Sequence, residues 1–126
     1  MTEATILIVE DDGLIALYLT ELLEKAGYRV IGQAYSGEMV LRDLEKSPQP
    51  DLILMDIGLA GSLDGIETAR QIGQRFSIPL IFLTAYTSES TLDRMKTVVS
   101  VGYIVKPFQD KDLLALVRKG VERPAV

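Results

Sequence analysis

The sequence predicts an α/β domain in which five parallel strands carry helices on both faces. Three observations predict it. Short runs rich in Ile, Leu and Val recur along the chain, of the kind found in parallel strands buried on both faces. Between them lie longer stretches with apolar residues at helical spacing, joined by short connections. Four of the apolar runs also end directly on residues capable of chemistry, and in such sheets ligands sit outside the carboxyl ends of the strands.

The first strand is Thr5-Ile6-Leu7-Ile8-Val9, which runs into Glu10-Asp11-Asp12. Leu14, Ile15, Leu19, Leu22, Leu23 and Ala26 then trace one helical stripe, stopped by Gly27. Tyr28 to Ala34 reads as the second strand. Ser36 caps a helix carrying Met39, Val40 and Leu44, which closes before Pro48 and Pro50. The third strand opens at Asp51 and carries Leu52-Ile53-Leu54-Met55 to Asp56. A glycine-bearing loop leads to Asp64, the N-cap of a helix with Ile66, Ala69, Ile72 and Arg75. Pro79 begins the fourth strand, where proline is tolerated, and Leu80-Ile81-Phe82-Leu83 ends on Thr84-Ala85. A helix from about Glu89 to Val99 precedes the fifth strand, near Val101 to Val105, whose Tyr103-Ile104-Val105 ends on Lys106-Pro107-Phe108. The last helix starts near Asp110 and holds Leu113, Leu114, Leu116 and Val117.

At 126 residues the chain is expected to form a single domain over 1–126, with its core from about 4 to 121. A domain of this size buries about two-thirds of its unfolded surface and needs no staples. The chain has no cysteine and no histidine, so disulfides, thiolate chemistry and imidazole bases are excluded, and any metal must be bound by oxygen. A net charge of −5 argues against nucleic-acid binding by this domain alone. Arg118, Lys119 and Arg123 fit compensation of a helix C-terminus better than a basic patch. No apolar run reaches bilayer length, and Met1-Thr2-Glu3 lacks the basic region of a signal peptide, so the cytoplasm is expected and no membrane partner.

The strand ends bring chemistry to one sheet edge. Taken alone, Glu10 and Asp11 fit either a hard-cation site of the Mg²⁺ type or compensation of the following helix, whereas Asp12 reads as that helix's cap. Asp56 shifts the balance. Its carboxylate should emerge beside the acidic pair, and carboxylates packed together repel unless a cation balances them. So balanced, Asp56 is a candidate nucleophile toward phosphorus, forming an aspartyl phosphate. Phosphoryl transfer is mostly positioning and electrostatic stabilisation, for which the Thr84 hydroxyl and the Lys106 ammonium are suited. Lys106-Pro107 is a candidate cis bond, since only X-Pro bonds readily go cis.

In this order, Val-Glu-Asp-Asp, Leu-Met-Asp, Asp-Gly-Ile-Glu, Leu-Thr-Ala and Gly-Tyr-Ile-Val-Lys-Pro-Phe resemble the receiver domain of two-component response regulators, over about Ala4 to Val121. The resemblance implies a (βα)5 flavodoxin-like fold, doubly wound with strand order 2-1-3-4-5. It implies that Asp56 accepts phosphate from a histidine kinase or histidine phosphotransfer protein. Mg²⁺ would be held by Glu10, Asp11, Asp56 and the Gly58 carbonyl. Thr84, Lys106 and the Ala85 backbone amide would contact the phosphoryl group. By the same resemblance Thr84 and Tyr103 form a switch that remodels the surface of the fourth helix, fifth strand and fifth helix for a downstream protein partner. Homodimerisation through that face is a further option, with Val98, Val99 and Val101 either surface or core.

The chain departs from the family pattern after Asp56. Ala60 stands where such domains usually carry proline, and the loop has one extra residue, with Gly61 added, before Asp64-Gly65. That predicts a loop more mobile before Mg²⁺ binds. Gly58 and Tyr86 occupy positions that tune phosphate hydrolysis in the family, and this pair predicts slow self-dephosphorylation, with Tyr86 shielding the phosphoryl group. The expected protein is a phosphorylation-controlled binding module, not an enzyme acting on an external substrate, and is either free-standing or part of a larger regulator. A Mg²⁺-dependent phosphatase would need a second aspartate where Gly58 stands. A flavin carrier would need a phosphate-binding loop where Glu10-Asp11-Asp12 repel phosphate.

Overall fold

The computed structural model describes residues 3–46, 48–59, 61–85 and 88–122. The expectations placed on Ala60, Tyr86 and Arg123 therefore lie outside the described residues. Strands and helices alternate as β1 (Thr5–Val9), α1 (Gly13–Lys25), β2 (Arg29–Ala34), α2 (Gly37–Lys46), β3 (Leu52–Asp56), α3 (Gly65–Arg75), β4 (Leu80–Thr84), α4 (Glu89–Lys96), β5 (Gly102–Val105) and α5 (Asp110–Glu122). All pairings are parallel, in the order β2-β1-β3-β4-β5.

Side chains alternate across each strand, so the apolar runs feed two cores at once. On one face Leu7, Val9, Ile53, Met55 and Phe82 pack against α2, α3 and Met95 of α4. On the other, Ile6, Ile8, Leu52, Leu54, Ile81 and Leu83 pack against Ala16, Leu19 and Leu23 of α1 and Leu113 and Val117 of α5. β3 and β4, buried along their whole length, are the continuous apolar runs expected of interior strands.

The outer strands correct one expectation. β5 alternates half-buried with exposed, and β2 is similarly exposed on its outer residues, because each edge strand lacks a neighbour on one side. Leu14 is a second correction. The helical spacing puts it on the α1 stripe, yet it is 80 % exposed. The core face of α1 is set by Ala16, Leu19 and Leu23, and Leu14 lies roughly 200° around the helix from Ala16. Ala26 is likewise exposed, as the C-cap residue.

A third correction concerns α4, which stops at Lys96 rather than Val99. Thr97 caps it, its hydroxyl bonding back to the Arg94 carbonyl at 2.6 Å. The following valines divide: Val98 and Val101 pack on the two cores, whereas Val99 is 92 % exposed.

Candidate functional site

Four strand ends build the site. At the end of β1, Glu10 is buried, its backbone tied to β2 by an amide bond to the Ala34 carbonyl at 3.0 Å and by the Gln33 side chain at 2.9 Å. Next to it Asp11 is exposed and Asp12 caps α1, accepting from the Leu14 amide at 2.9 Å and the Ile15 amide at 3.3 Å. β3 pairs with both β1 and β4, which carries Asp56 to the same edge. Asp56 is buried and accepts the Gly58 amide on Oδ1 at 3.1 Å. Thr84 ends β4, buried, in register with Val105. The next residue of that strand line, Lys106, donates its backbone amide to the Thr84 carbonyl at 2.8 Å.

Oxygen atoms of Glu10, Asp11 and Asp56 lie within 4.8 Å of one another. Three carboxylates so close, two of them buried, form a donor set fitted to a hard divalent cation such as Mg²⁺. Lys106 reaches into the same group from β5. Its Nζ donates to Glu10 Oε1 at 2.8 Å and lies 3.5 Å from Asp56 Oδ1. The Lys106-Pro107 peptide is cis.

The electrostatics follow from burial and proximity. Burial pushes the Glu10 carboxyl up to about 7, against the pull of the Lys106 ammonium and with reinforcement from Asp56. For Lys106, burial works against the charged form, but the bond to Glu10 and the field of Asp56 prevail and hold it above the ordinary lysine value. A pocket in which an acid resists losing its proton and an ammonium resists giving one up favours an added cation on the acids and an added anion on the lysine.

The structure thus brings together Glu10, Asp11, Asp56, Thr84 and Lys106, with Gly58 and Ala85 on the adjoining loops. Tyr103 stands apart, 45 % exposed on β5. With Leu92, Met95, Lys96, Val98, Val99 and Ser100 it lines a surface hollow of about 370 Å³ between α4 and β5.

The neighbouring loop keeps the expected Asp64 cap and adds contacts that the sequence does not announce. Asp64 caps α3 through the Glu67 amide at 2.9 Å and also pairs with Arg94 of α4 at 2.7 Å. Burial opposes ionisation of Asp64, but Arg94 and the α3 amides outweigh it and keep its carboxyl below the usual range. Arg70 of α3 bonds to Thr97 at the end of α4 at 2.8 Å. Gly65, the first residue of α3, lies flat against the Asp56–Ile57 backbone. The Asp64-Gly65 step was the available signal for that last contact. Nothing local in the sequence pairs Asp64 with Arg94.

Comparison with known proteins gives the family and the same fold. The profile of the response regulator receiver domain matches residues 6–118. The transcriptional regulatory protein PdtaR of Mycobacterium tuberculosis is 33 % identical over 118 residues, covering 94 % of this chain and 57 % of that protein. The phyllosphere-induced regulator PhyR of Methylorubrum extorquens is 34 % identical over 116 residues, covering 92 % and 43 %. The chain spans about half the length of these relatives. Among solved structures, the signal receiver domain of a modulated diguanylate cyclase from Desulfovibrio desulfuricans superposes with a TM-score of 0.87 at 36 % identity, covering 95 % of this chain and 94 % of that one. The signal receiver domain of a signal transduction histidine kinase from Syntrophus aciditrophicus gives 0.85 at 27 % identity, covering 98 % and 96 %.

Proposed function

The chain belongs to the response regulator receiver domain family, and from that membership we propose that Asp56 is its phosphoacceptor, taking a phosphoryl group from the phosphohistidine of a histidine kinase or histidine phosphotransfer protein. One observation carries the reading: the Asp56 carboxylate shares its pocket with Glu10 and Asp11 within 4.8 Å, while Lys106 lies 3.5 Å from Asp56 Oδ1.

In the transfer an Asp56 oxygen bonds to phosphorus as the phosphorus–nitrogen bond breaks, its electron pair leaving with the imidazole. Mg²⁺, held by Glu10, Asp11, Asp56 and the Gly58 carbonyl, would neutralise the carboxylates and the phosphoryl oxygens. Lys106 pairs with one phosphoryl oxygen, and its present bond to Glu10 keeps the ammonium inside the pocket until that oxygen arrives. The Thr84 hydroxyl and the Ala85 amide donate to another. The catalysis is positioning and charge stabilisation around the chain's own carboxylate, so the domain acts as a regulated binding module and turns over no external substrate.

The output follows from the sheet. Thr84 and Tyr103 sit on adjacent strands, β4 and β5, and Thr84 moving toward the phosphoryl group opens room for the Tyr103 ring to turn inward. The turn would reshape the hollow between α4 and β5, where a protein partner or a second copy docks. An unchanged Tyr103 rotamer in free and phosphoryl-mimic-bound crystals would remove the switch from this account.

The test is intact mass after incubation with acetyl phosphate. One added phosphoryl group that requires Mg²⁺ and is absent in Asp56→Asn supports the reading. No gain in the wild type refutes it.

A further inference from the structure

We propose that Glu38 and Ser62 form a clasp that positions the β3–α3 loop, and through it Gly58, for cation binding at Asp56. The proposal rests on the phosphoacceptor reading and assigns that site two positioning residues outside it. The loop leaves the sheet between two buried apolar anchors, Ile57 and Leu59, with Gly58 held between them by its amide bond to Asp56 Oδ1. Farther along, the chain turns through Gly61 at φ +100°, a conformation that costs glycine little. A Cβ there would lie 3.3 Å from Glu38 Oε1 and 3.4 Å from Oε2, so the turn rests directly against that carboxylate.

Glu38 then grips the next residue. Ser62 Oγ donates to Glu38 Oε2 at 2.8 Å, and the Ser62 backbone amide bonds to the same carboxylate. These bonds hold the Glu38 carboxyl below its ordinary value, the mark of an acceptor bonded in its charged form. Glu38 is itself well placed to act as an anchor. The preceding Gly37 packs against Thr68 and Leu63 so closely that an added Cβ would meet Thr68 Oγ1 at 2.0 Å, which fixes the first turn of α2 onto α3 and the loop. The extra residue that this loop carries thus falls where a neighbouring helix offers a charged acceptor. As a lone first-turn acid, Glu38 would need only the α2 amides; the hydroxyl and amide of a residue 24 positions away are not explained by that role.

The experiment is calorimetric Mg²⁺ titration of the full chain, with urea midpoints and Gly58 amide exchange measured alongside, in wild type, Ser62→Ala, Glu38→Ala and Glu38→Gln. Ser62→Ala keeps the charge and removes the hydroxyl. Glu38→Gln removes the charge and keeps an acceptor oxygen. The clasp predicts that Mg²⁺ affinity falls about threefold in Ser62→Ala and Glu38→Ala, about what one exposed hydrogen bond contributes. It also predicts faster Gly58 exchange in both, and substantial rescue in Glu38→Gln. Where a variant also loses stability, Gly58 exchange relative to the β3 amides decides, since general loosening would speed both together. Unchanged affinity in Ser62→Ala and Glu38→Ala overturns the clasp. So does equal loss in Glu38→Gln and Glu38→Ala with none in Ser62→Ala, which would assign the effect to charge alone. A wild type that binds no Mg²⁺ overturns the reading of the site itself, and the clasp's role with it.

Discussion

Replacing Gly65 by alanine should damage fold and site together. The added Cβ would sit 2.1 Å from the Asp56 carbonyl oxygen and 2.8 Å from both the Asp56 carbonyl carbon and Ile57 Cα. Carbon and oxygen atoms rest near 3.5 Å, so the two segments must part by more than about 1 Å. No rotamer relieves this, because every clashing atom is backbone. The shift also strains the Gly65 amide bond to the Ile57 carbonyl, now 2.9 Å. Overpacking of this kind costs about 1–3 kcal/mol, and a weakened backbone bond adds about 1 kcal/mol. With a urea slope of about 2 kcal/mol/M, the midpoint falls by about 1–2 M. Phosphorylation should fall further, by about a hundredfold, since the displaced backbone carries Asp56. Gly73 supplies the control on the same helix. A Cβ there meets nothing within 4 Å, so Gly73→Ala should stabilise by about 0.5–1 kcal/mol. The assays are urea unfolding and intact mass after acetyl phosphate treatment. A Gly65→Ala protein with the wild-type midpoint, or one shifted no more than Gly73→Ala, would mean that the α3 start does not press on the Asp56–Ile57 backbone.

Three further outcomes follow from the site. With Mg²⁺ chelated, stability should rise as pH is lowered from about 7 toward about 4.5. Folded Glu10 titrates near 7 rather than 4.5, so in that window the folded state keeps a proton the unfolded chain has given up. The gain should be about 3 kcal/mol by urea midpoint, and Glu10→Gln should flatten the slope; an equal slope in that variant contradicts the assignment. Lys106→Met should leave Glu10 and Asp56 without their cation, weakening the fold in chelator while Mg²⁺ restores most of the loss, as thermal melts would report. Arg94→Ala should cost less than about 1 kcal/mol, because the bridge to Asp64 is surface-exposed, yet speed hydrogen exchange along α4. Unaltered α4 exchange would show that the bridge does not restrain the helix.

Much of the fold was legible because interior parallel strands write themselves plainly. Leu52 to Met55 and Leu80 to Leu83 are apolar at every position since both faces are covered, and each delivers its chemistry to the next residue, Asp56 or Thr84. The edge strands were less legible. β5 exposes Tyr103 and Val105 because it lies at the edge of the sheet, a fact of sheet order rather than of local pattern. The end of α4 was blurred for a different reason. Val98 continues the apolar pattern past Thr97, yet it reaches the core from a turn, so its burial imitates one more helical step. Leu14 misled because an apolar residue beside a cap resembles the start of a stripe, whereas burial is decided by the face shared with Leu19 and Leu23.

That Glu10, Asp56, Thr84 and Lys106 gather at one sheet edge could be read from strand ends, but the contacts around them could not. Lys106 bonding to Glu10, 96 residues away, follows once the strand order is known. Asp64 with Arg94, and Glu38 with Ser62, depend on how helices settle against one loop, and no spacing in the sequence encodes them.

Phosphate should be carried by Asp56 and by no other carboxylate of the acidic cluster. Borohydride reduction of the acetyl phosphate-treated protein, followed by peptide mass mapping, tests it directly, because reduction converts an aspartyl phosphate to homoserine. Homoserine is expected at position 56 alone, formed only with Mg²⁺ present. Homoserine at Asp11 or Asp12, or none in a protein that has gained the phosphoryl mass, would contradict it.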